Sequence, residues 1–542
     1  TGANNTALGG RSLQSCTTGD SNTALGDYAL TTNTTASNNT AVGTQALRYN
    51  TTGSGNVAVG QDALKDNTTG TQNVSVGRNC LSNNTTASYN VAIGHNTLET
   101  NTTGAANVGV GDGVLNANTG GSNTAVGHRA MLVNTTGANN VAIGIYALDA
   151  NTTANDNTAV GYAALSAATT GGSNVAVGYN ALLASTTAAG VTAIGYGALA
   201  SQTTPYYGVA VGYNALTANT TGTDNTAVGA LALDANTTGI NNTALGKSAL
   251  GANTTTSYNT AVGNDALSAN TVSNNTAVGA NALKVNTTGT QNTAVGLGAL
   301  DANTTANDNT AVGYDALGAN TTGYQCTAVG KDALLVATGA VNCTAIGKGA
   351  LSACNAQDNT ALGEAAGYSI TTGTDNVMIG KATQGPTTAS HSVVIGSDIG
   401  NQGNNSNMVV IGNNSVAASF SGAASSWTFA SDGRDKTDIV DLPLGLDFVK
   451  KLKPRKFRWD YRDKKRFPVD SAKNPDMLIR SGFIAQEIQE VLEEENAHYT
   501  KIVNDDRPDQ LTVGASDIIP MLVNAVKELS AKVEELESKL NN

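Results

Sequence analysis

A repeat of about 17 residues runs through most of the chain and restricts what the chain can fold into. The unit reads N-[TV]-A-[VIL]-G-x-x-A-L-x-x-N-T-T-x-x-x, and its glycine recurs from Gly9 to Gly412 in 25 copies. This is too short for a helical-hairpin repeat, which needs more than about 30 residues. Each copy offers a run such as 39–43, a segment such as Ala46–Leu47, and an Asn-Thr-Thr turn. Two short strands and a fixed turn per copy predict one coil of a parallel β-solenoid.

The alternation of side chains within each copy predicts two buried faces. Residues two apart share a face, so Thr260 and Val262 point one way and Ala261 points the other. We expect the Val, Ile or Leu before the glycine to fill the coil interior. The intervening residue is nearly always Ala, and Ser75 is the one polar departure. A thin coil also needs help from association, so we predict a homotrimer packed around the Ala-rich face.

The asparagine that opens each copy predicts a second regular feature. Stacked in register, residues such as Asn22 and Asn39 would form a ladder of side-chain amides that also caps turns. Cys326 and Cys343 replace this asparagine in consecutive copies, one coil apart, at a separation compatible with a disulfide. Parallel neighbours seldom present suitable Cβ vectors, so we expect free thiols. Five cysteines form neither a disulfide framework nor a metal-ligand pattern, and we expect no metal or cofactor.

The distribution of charge divides the chain near Ser431. Residues 431–542 carry 19 of the 29 Lys and Arg and 22 of the 41 Asp and Glu, which leaves 10 basic and 19 acidic residues for 1–430. We therefore predict a solenoid shaft over 1–415, a connecting segment over 416–430, and a separate domain over 431–542.

Composition also excludes some partners. An acidic shaft is a poor match for nucleic acid, which binds basic surfaces. The basic run 450–466 has interleaved aromatics, but acidic residues outnumber basic ones in its domain, so we interpret the run as structural. No stretch approaches the roughly 20 apolar residues of a membrane span. No signal peptide is visible at Thr1.

The repeats resemble the head of trimeric autotransporter adhesins, whose N-[ST]-V-A-[IV]-G units build a trimeric left-handed parallel β-roll. The resemblance covers roughly residues 1–415. The units here are longer, and the extra residues fall in the Asn-Thr-Thr loop. The resemblance implies a trimer with a larger cross-section.

Three ordered motifs mark the C-terminal domain. They are Ser-Asp-x-Arg-x-Lys-x-Asp-Ile from Ser431, Phe-Arg-Trp at 457–459, and Gly-Phe-Ile-Ala-Gln-Glu at 482–487. Together they resemble the endosialidase-type intramolecular chaperone found at the C-terminus of phage tail spikes and tail fibres. The resemblance covers about residues 431–542. It implies a domain that brings three chains into register and then cuts itself off.

The same resemblance implies the residues of the cut. The scissile bond would be Ala430–Ser431, with Ser431 as nucleophile and Lys436 as base. Ser–Lys pairs are a known variant of the catalytic triad, in which a lysine of lowered pKa activates the hydroxyl. Arg434 would supply a cation that lowers this pKa, or would pair with Asp432.

A helper histidine, present in some relatives, would be expected near the Gly-Phe-Ile-Ala-Gln segment. The residue before Gly482 is Ser481, and His498 is the only histidine in the domain.

A helix with an apolar seam ends the chain, over 518–541. Apolar residues follow one another at spacings of 4, 3, 4, 3 and 4, which is a heptad pattern. They are Leu522, Val526, Leu529, Val533, Leu536 and Leu540. Glu528 with Lys532 and Glu535 with Lys539 are spaced as helical ion pairs. The seam predicts a coiled coil that collects chains and sets their register.

The sequence thus predicts a mostly β protein: a trimeric parallel β-solenoid (β-roll) shaft with a C-terminal α+β chaperone domain that ends in a coiled-coil helix. The predicted function is a structural fibre or spike of a virion, of the tail-fibre type. It would be located on a virion surface or outside cells, with a host or cell-surface receptor such as a glycan as its partner. Two alternatives stay open. One is a cell-surface trimeric adhesin, and the other is a glycan hydrolase, which would need two carboxylates facing one cleft.

Overall fold

The chain divides into two compact units, Thr1–Ala430 and Ser431–Asn542. A computed structural model describes most of both units. The described residues are 2–203, 207–400, 404–413, 417–421, 428–429, 438–458, 479–500, 502–504 and 511–541. We refer to residues 431–542 as the C-terminal unit.

The first unit is a parallel β-solenoid, as predicted. Its 25 strands β1 to β25 stack one per coil, and each pairs in register with the next, as where Thr40 lies opposite Val57. The strands are Thr6–Leu8, Thr23–Leu25, Thr40–Val42, Val57–Val59, Val74–Val76, Val91–Ile93, Val108–Val110, Thr124–Val126, Val141–Ile143, Thr158–Val160, Val175–Val177, Thr192–Ile194, Val209–Val211, Thr226–Val228, Thr243–Leu245, Thr260–Val262, Thr276–Val278, Thr293–Val295, Thr310–Val312, Thr327–Val329, Thr344–Ile346, Thr360–Leu362, Val377–Ile379, Val393–Ser397 and Met408–Asn413.

Two antiparallel strands close the stack. β26 (Ala417–Ser421) pairs with β25, and β27 (Thr428–Phe429) pairs with β26. Both lie in the segment 416–430 that the sequence suggested as a connection. The sheet therefore extends up to the residues that precede the C-terminal unit.

Each coil holds one strand, so the prediction of two strands per coil is wrong. Ala46 and Leu47 lie in a turn, where Leu47 has a φ of 50°. A residue in the left-handed conformation changes the direction of the chain. The side chains therefore no longer alternate between two faces, as they do in a strand. Backbone bonds still join this turn to the next coil, because Leu47 N donates to Ala63 O over 3.0 Å. β-branched residues are strained at positive φ, which explains the use of leucine here.

The direction of the strand side chains is opposite to the prediction. In β16, Ala261 is fully buried, while Thr260 and Val262 are half-buried. The alanine therefore lines the interior of its own coil and does not face another chain. The turn already places Ala266 and Leu267 in that interior, fully buried. A close-packed interior this narrow has room for only a small side chain on the strand, so the larger Val or Leu points outward.

The glycine after each strand sets how closely the coils approach. Gly43 has a φ of 132°, and a Cβ at this position would lie 2.5 Å from the carbonyl oxygen of Gly60. Only glycine tolerates both this conformation and this contact. The recurrence of glycine at this offset is therefore a requirement of stacking.

The predicted amide ladder is confirmed. Asn56 N donates to Asn39 Oδ1 over 2.9 Å, and Asn39 Nδ2 donates to Gly53 O over 3.0 Å. The asparagine of each Asn-Thr-Thr turn forms a second ladder that the sequence did not predict, as where Asn50 Nδ2 donates to Asn33 Oδ1 over 3.0 Å. These asparagines are fully buried. Two amide columns therefore run inside the shaft.

The second column is interrupted at Ala337, Cys354 and Ile370, and over three earlier consecutive coils at Ala168, Ser185 and Gln202. In that stretch the described residues offer no hydrogen-bond partner to Asn151 Oδ1, to Ser185 Oγ or to the amide of Gln202. A column of stacked tyrosine rings lies on the outside of the same coils, with ring centroids 5.1 to 5.4 Å apart. Its members are Tyr162, Tyr179, Tyr196 and Tyr213.

The cysteines are free thiols, in agreement with the sequence-based expectation. Cys326 and Cys343 take the place of the opening asparagine. Cys326 Sγ donates to Ala340 O over 3.2 Å, and Cys343 Sγ donates to Ala356 O over 3.1 Å. These bonds replace those of the asparagine amide. Burial raises the pKa of the Cys80 thiol to about 11, so this thiol stays protonated at neutral pH.

The C-terminal unit is a small α+β structure. Its strands form two antiparallel pairs, β28 with β29 and β30 with β31. Two short 3-10 turns, His498–Thr500 and Ala515–Ile518, lie before β30 and before α3. The elements are α1 Leu446–Lys451, β28 Arg455–Arg458, β29 Ile479–Gly482, α2 Ala485–Glu494, β30 Val503–Asn504, β31 Thr512–Val513 and α3 Ile519–Leu540.

Candidate functional site

The residues predicted to cut the chain are Ala430, Ser431, Asp432, Arg434 and Lys436. All five lie outside the described residues, which resume at Asp438. The roles of Ser431 as nucleophile and Lys436 as base therefore stay predictions. The described part of the unit shows what holds the chain immediately after them.

An apolar core positions the first helix of the C-terminal unit. Phe448 of α1 is 2 % exposed and belongs to one buried cluster with Ile488 and Leu492 of α2 and Met521 of α3. Leu444, just before α1, joins the same cluster. The three helices therefore share a core, and the segment that leads into α1 is anchored in it.

Two polar side chains of α3 fasten the segment before α1. Asn524 Nδ2 donates to Leu442 O over 2.7 Å. The carboxylate of Glu528 accepts a bond from Leu446 N over 2.8 Å. The sequence suggested that Glu528 pairs with Lys532, but its carboxylate instead satisfies the first backbone N–H of α1. Hence the C-terminal helix holds residues 442–446, which follow the predicted cleavage segment along the chain.

Gly445 permits this contact. A Cβ at Gly445 would lie 1.9 Å from Glu528 Oε1. Any larger residue at this position would push the carboxylate away from Leu446. The glycine and the glutamate therefore form a matched pair, although they are far apart in sequence.

The motif glutamate Glu487 ties α2 to β28. Arg455 Nη2 donates to Glu487 Oε1 over 2.6 Å, and Arg455 Nε donates to Glu487 Oε2 over 2.9 Å. The hydrogen bond from Arg455 lowers the pKa of Glu487, so the carboxylate stays charged in mildly acidic solution. The pair is exposed to solvent, so water screens it. The two hydrogen bonds indicate that the pair orients the Gly-Phe-Ile-Ala-Gln-Glu motif relative to β28.

The described part of the basic run, residues 450–458, includes the end of α1 and the whole of β28. Arg455 and Lys456 lie on β28, and Phe457 of the same strand is half-buried, with its ring next to Gly482. Trp459 of the Phe-Arg-Trp motif lies outside the described residues. His498 is exposed in a 3-10 turn.

The C-terminal helix is confirmed and exposes its apolar seam. α3 spans Ile519–Leu540, and Met521 and Ala525 are its buried residues. The seam lies on the exposed part of the helix, and Val526 is 65 % exposed and Leu536 is 64 % exposed. The predicted Glu535–Lys539 pair is present at 2.5 Å. One part of α3 thus packs into its own unit, while the seam is left uncovered in the single chain.

The strands of the shaft present a second uncovered apolar surface. We call it the outward face, and it comprises the first and third residues of the strand segment before the glycine, such as Thr276 and Val278. In all 25 described strands the first of these is Thr or Val and the third is Val, Ile or Leu. The third residue is often well exposed, as for Leu362 at 48 %. No charged side chain occurs at either position of these strands.

Three described carboxyl groups of the shaft have pKa values above the ordinary value for aspartate. Burial raises the pKa of Asp149, Asp234 and Asp301. These three lie in well-separated coils of the shaft. None of them therefore pairs with another of the three across one cleft.

Comparison with protein families gives one match, at residues 431–496, to the family described as chaperone of endosialidase. The resemblance predicted from the Ser-Asp, Phe-Arg-Trp and Gly-Phe-Ile-Ala-Gln-Glu motifs is confirmed for these residues. The matched range begins at Ser431 and includes α1, β28, β29 and α2. Neither a curated protein nor a solved structure matches the chain in the corresponding comparisons.

The class of molecule is therefore a long parallel β-solenoid followed by a region similar to the chaperone of endosialidase. Among the described residues, no helix has the length and apolarity to cross a membrane. In the same part of the chain, no group of three or more His, Cys, Asp or Glu is arranged to hold a metal ion.

Proposed function

We propose that this chain is the subunit of a trimeric fibre or spike of the tail-fibre type, exposed on a virion or outside cells. In this proposal, the C-terminal unit brings three chains together through α3. The unit then cuts the chain between Ala430 and Ser431 and leaves the shaft as the mature fibre. The observation that carries the proposal is the exposed seam of α3, in a unit whose residues 431–496 match the chaperone of endosialidase.

The seam supports association because it has no other apparent purpose in one chain. Six apolar side chains at heptad spacing are exposed along 22 residues of helix. Such a stripe is the sequence requirement of a coiled coil, whereas a helix that only covers its own unit would be polar on its outer side. Fewer than three full heptads make a weak coiled coil, so we expect the rest of the unit to contribute.

A C-terminal unit that is cut off after assembly addresses the slow formation of the shaft. Parallel strands pair through non-local contacts, and such pairing is slow. The identical coils also allow three chains to align one or more repeats out of register. A C-terminal unit that fixes the ends of three chains removes this choice. After its loss, the persistence of the fibre depends on the rate at which the chains separate, because separated chains can no longer realign.

The proposed cleavage has two steps, transfer of an acyl group to the Ser431 oxygen and hydrolysis of the resulting ester. The amine of Lys436 accepts the proton of the Ser431 hydroxyl, and the oxygen attacks the carbonyl carbon of Ala430. The C–N bond breaks, the amine of Ser431 gains a proton, and the acyl group of Ala430 becomes an ester on the Ser431 oxygen. Water then hydrolyses the ester and leaves a carboxylate on Ala430. No cofactor is required.

Intact-mass measurement of the freshly expressed chain tests the cleavage. Ser431→Ala removes the nucleophile, and Lys436→Ala removes the base. We expect wild type to yield two fragments that separate between Ala430 and Ser431, and each variant to stay whole.

Lys450→Ala serves as the matched control, because Lys450 is an exposed lysine of the same unit. It should cleave as wild type does. A wild-type chain that stays whole over days, with the same mass pattern as both variants, would remove the autoprotease from the proposal. The assembly role would then stand alone.

A further inference from the structure

The outward face of the shaft is the most extensive feature that no role yet explains. A solvated surface accumulates charged residues, because little opposes them there. Across 25 strands this face has none. The charges of the same coils, such as Asp62 and Lys65, lie instead in the turns that follow the strands. The absence of charge is therefore confined to one face and continues along the whole stack.

We propose that the outward face is the surface on which copies of this chain pack against one another along the shaft. The inference rests on the proposed fibre and specifies its interface. It also replaces the Ala-rich face predicted from the sequence, because Ala261 and its equivalents are buried inside their own coils. The surface that meets another chain is then made of Thr, Val, Ile and Leu.

The area available is sufficient for a stable association. Burial of a whole Val or Leu side chain removes on the order of 100 Å² of apolar surface from water. The third strand residue is half-buried or exposed in every coil, and among the exposed ones Val312 is at 36 % and Leu362 at 48 %. Over 25 strands, this column with the Thr and Val column beside it gives on the order of 1,000 Å² per chain. A standard interface needs about 800 Å² per partner.

Periodicity identifies the partner as a second copy. The face presents one Thr or Val and one Val, Ile or Leu per coil, at the spacing of parallel strands. Another copy of the shaft has the same spacing and the same uncharged columns, so its ridges match along the full length. The shaft is acidic overall, and copies could approach closely only where acidic groups are absent.

Crosslinking of engineered cysteines tests the inference. Val278→Cys places a thiol on the outward face, and Thr288→Cys places one in an exposed loop of the same coil. Four of the native cysteines are buried and Cys16 is half-buried, so Cys16→Ser is included in both variants. A short bis-maleimide should join chains through Cys at 278 and not at 288, seen as covalent dimers on a denaturing gel.

The outcomes separate the inference from the proposed function. A three-chain mass by light scattering without crosslinking at 278, or with equal crosslinking at 288, overturns the inference and leaves a fibre held by its C-terminal unit. A one-chain mass overturns the proposed trimer itself, and the inference with it.

Two double variants test whether packing of the outward face stabilises the assembled shaft. Val278→Glu with Val295→Glu puts charges on the face in adjacent coils, and Thr288→Glu with Thr305→Glu puts them in exposed loops. The first pair should lower the melting temperature of the assembled shaft, and the second should leave it unchanged. Equal melting temperatures for the two pairs would contradict the inference.

Discussion

The interiors of the shaft and of the C-terminal unit are built from different side chains. The C-terminal unit has a core of large apolar groups, among them Phe448, Ile488 and Leu492. The shaft has instead two columns of buried asparagines, such as Asn39 and Asn50, beside alanines and, in most coils, one leucine. One region is held by apolar burial, and the other depends heavily on hydrogen bonds that repeat from coil to coil.

The difference bears on how each region can form. An apolar core assembles from contacts within about 100 residues and tolerates small changes in geometry. A buried amide is stabilising only when each of its bonds is made, because an unpaired buried polar group costs about 1–3 kcal/mol. The shaft therefore requires correct register between successive coils of the chain.

A change at the point where coils approach should have the largest effect. Gly161→Ala introduces a Cβ that would lie 2.4 Å from Gly178 O, at a φ of 135°. Strain in this conformation and the steric overlap together should cost more than about 3 kcal/mol. We expect local opening of these coils, measured as faster limited proteolysis and a lower melting temperature.

The matched control for this change is Gly339→Ala. The closest atom to a Cβ there is Thr322 Oγ1 at 3.5 Å, and the residue is exposed. It should change stability by less than about 1 kcal/mol. If Gly161→Ala behaved like this control, close stacking of the coils would not be what the recurring glycine provides.

The interrupted amide column allows both a loss and a gain of buried hydrogen bonds to be tested. Asn67→Ala breaks an intact column, because Asn67 Nδ2 donates to Asn50 Oδ1 and Asn67 Oδ1 accepts from Asn84 Nδ2, each over 2.8 Å. It should cost about 1–3 kcal/mol. Ala168→Asn should stabilise the shaft by about 1 kcal/mol, because Asn151 Oδ1 gains a donor. Thermal melting measures both.

The control for the gain is Ala167→Asn, which places the same side chain at a half-buried neighbour. It should leave the melting temperature unchanged. The tyrosine column outside these coils gives a reason why the interruption is tolerated, since each stacked pair contributes about 0.5–1.5 kcal/mol. A destabilising Ala168→Asn would show that the column cannot be continued through this stretch.

Much of this fold is readable from sequence, and the errors have a common physical origin. The 17-residue period, the glycine and the opening asparagine predict a parallel solenoid with an amide ladder, and the structure has both. Alternation places Ala261 and Val262 on opposite faces but does not say which face is inside. Hydrophobicity favours the valine as the residue that points inward, whereas the narrow coil interior favours the smaller alanine. That width depends on Leu267 in its left-handed turn, which a local pattern does not reveal.

In the C-terminal unit, local sequence patterns predicted the motifs and the last helix but not the contacts between distant residues. Its motifs predicted a resemblance over about 431–542, of which the match covers 431–496, and its heptads predicted a helix within one residue of α3 at either end. The contacts of Asn524 with Leu442 O and of Glu528 with Leu446 N could not be predicted. They join residues about 80 positions apart, and no local spacing encodes such a pairing. The cleavage residues Ser431 and Lys436 remain a prediction from the resemblance.

The central claim, that α3 collects three chains, is tested most directly by light scattering on the intact chain. Ser431→Ala prevents the proposed cleavage, and in that background Leu529→Glu disrupts the seam, while Ser530→Glu adds the same charge beside it. The account predicts three times 54.5 kDa for the background and for Ser530→Glu, and loss of that species for Leu529→Glu. A mass near 54.5 kDa for the background chain, or a trimer that Leu529→Glu leaves intact, would contradict it.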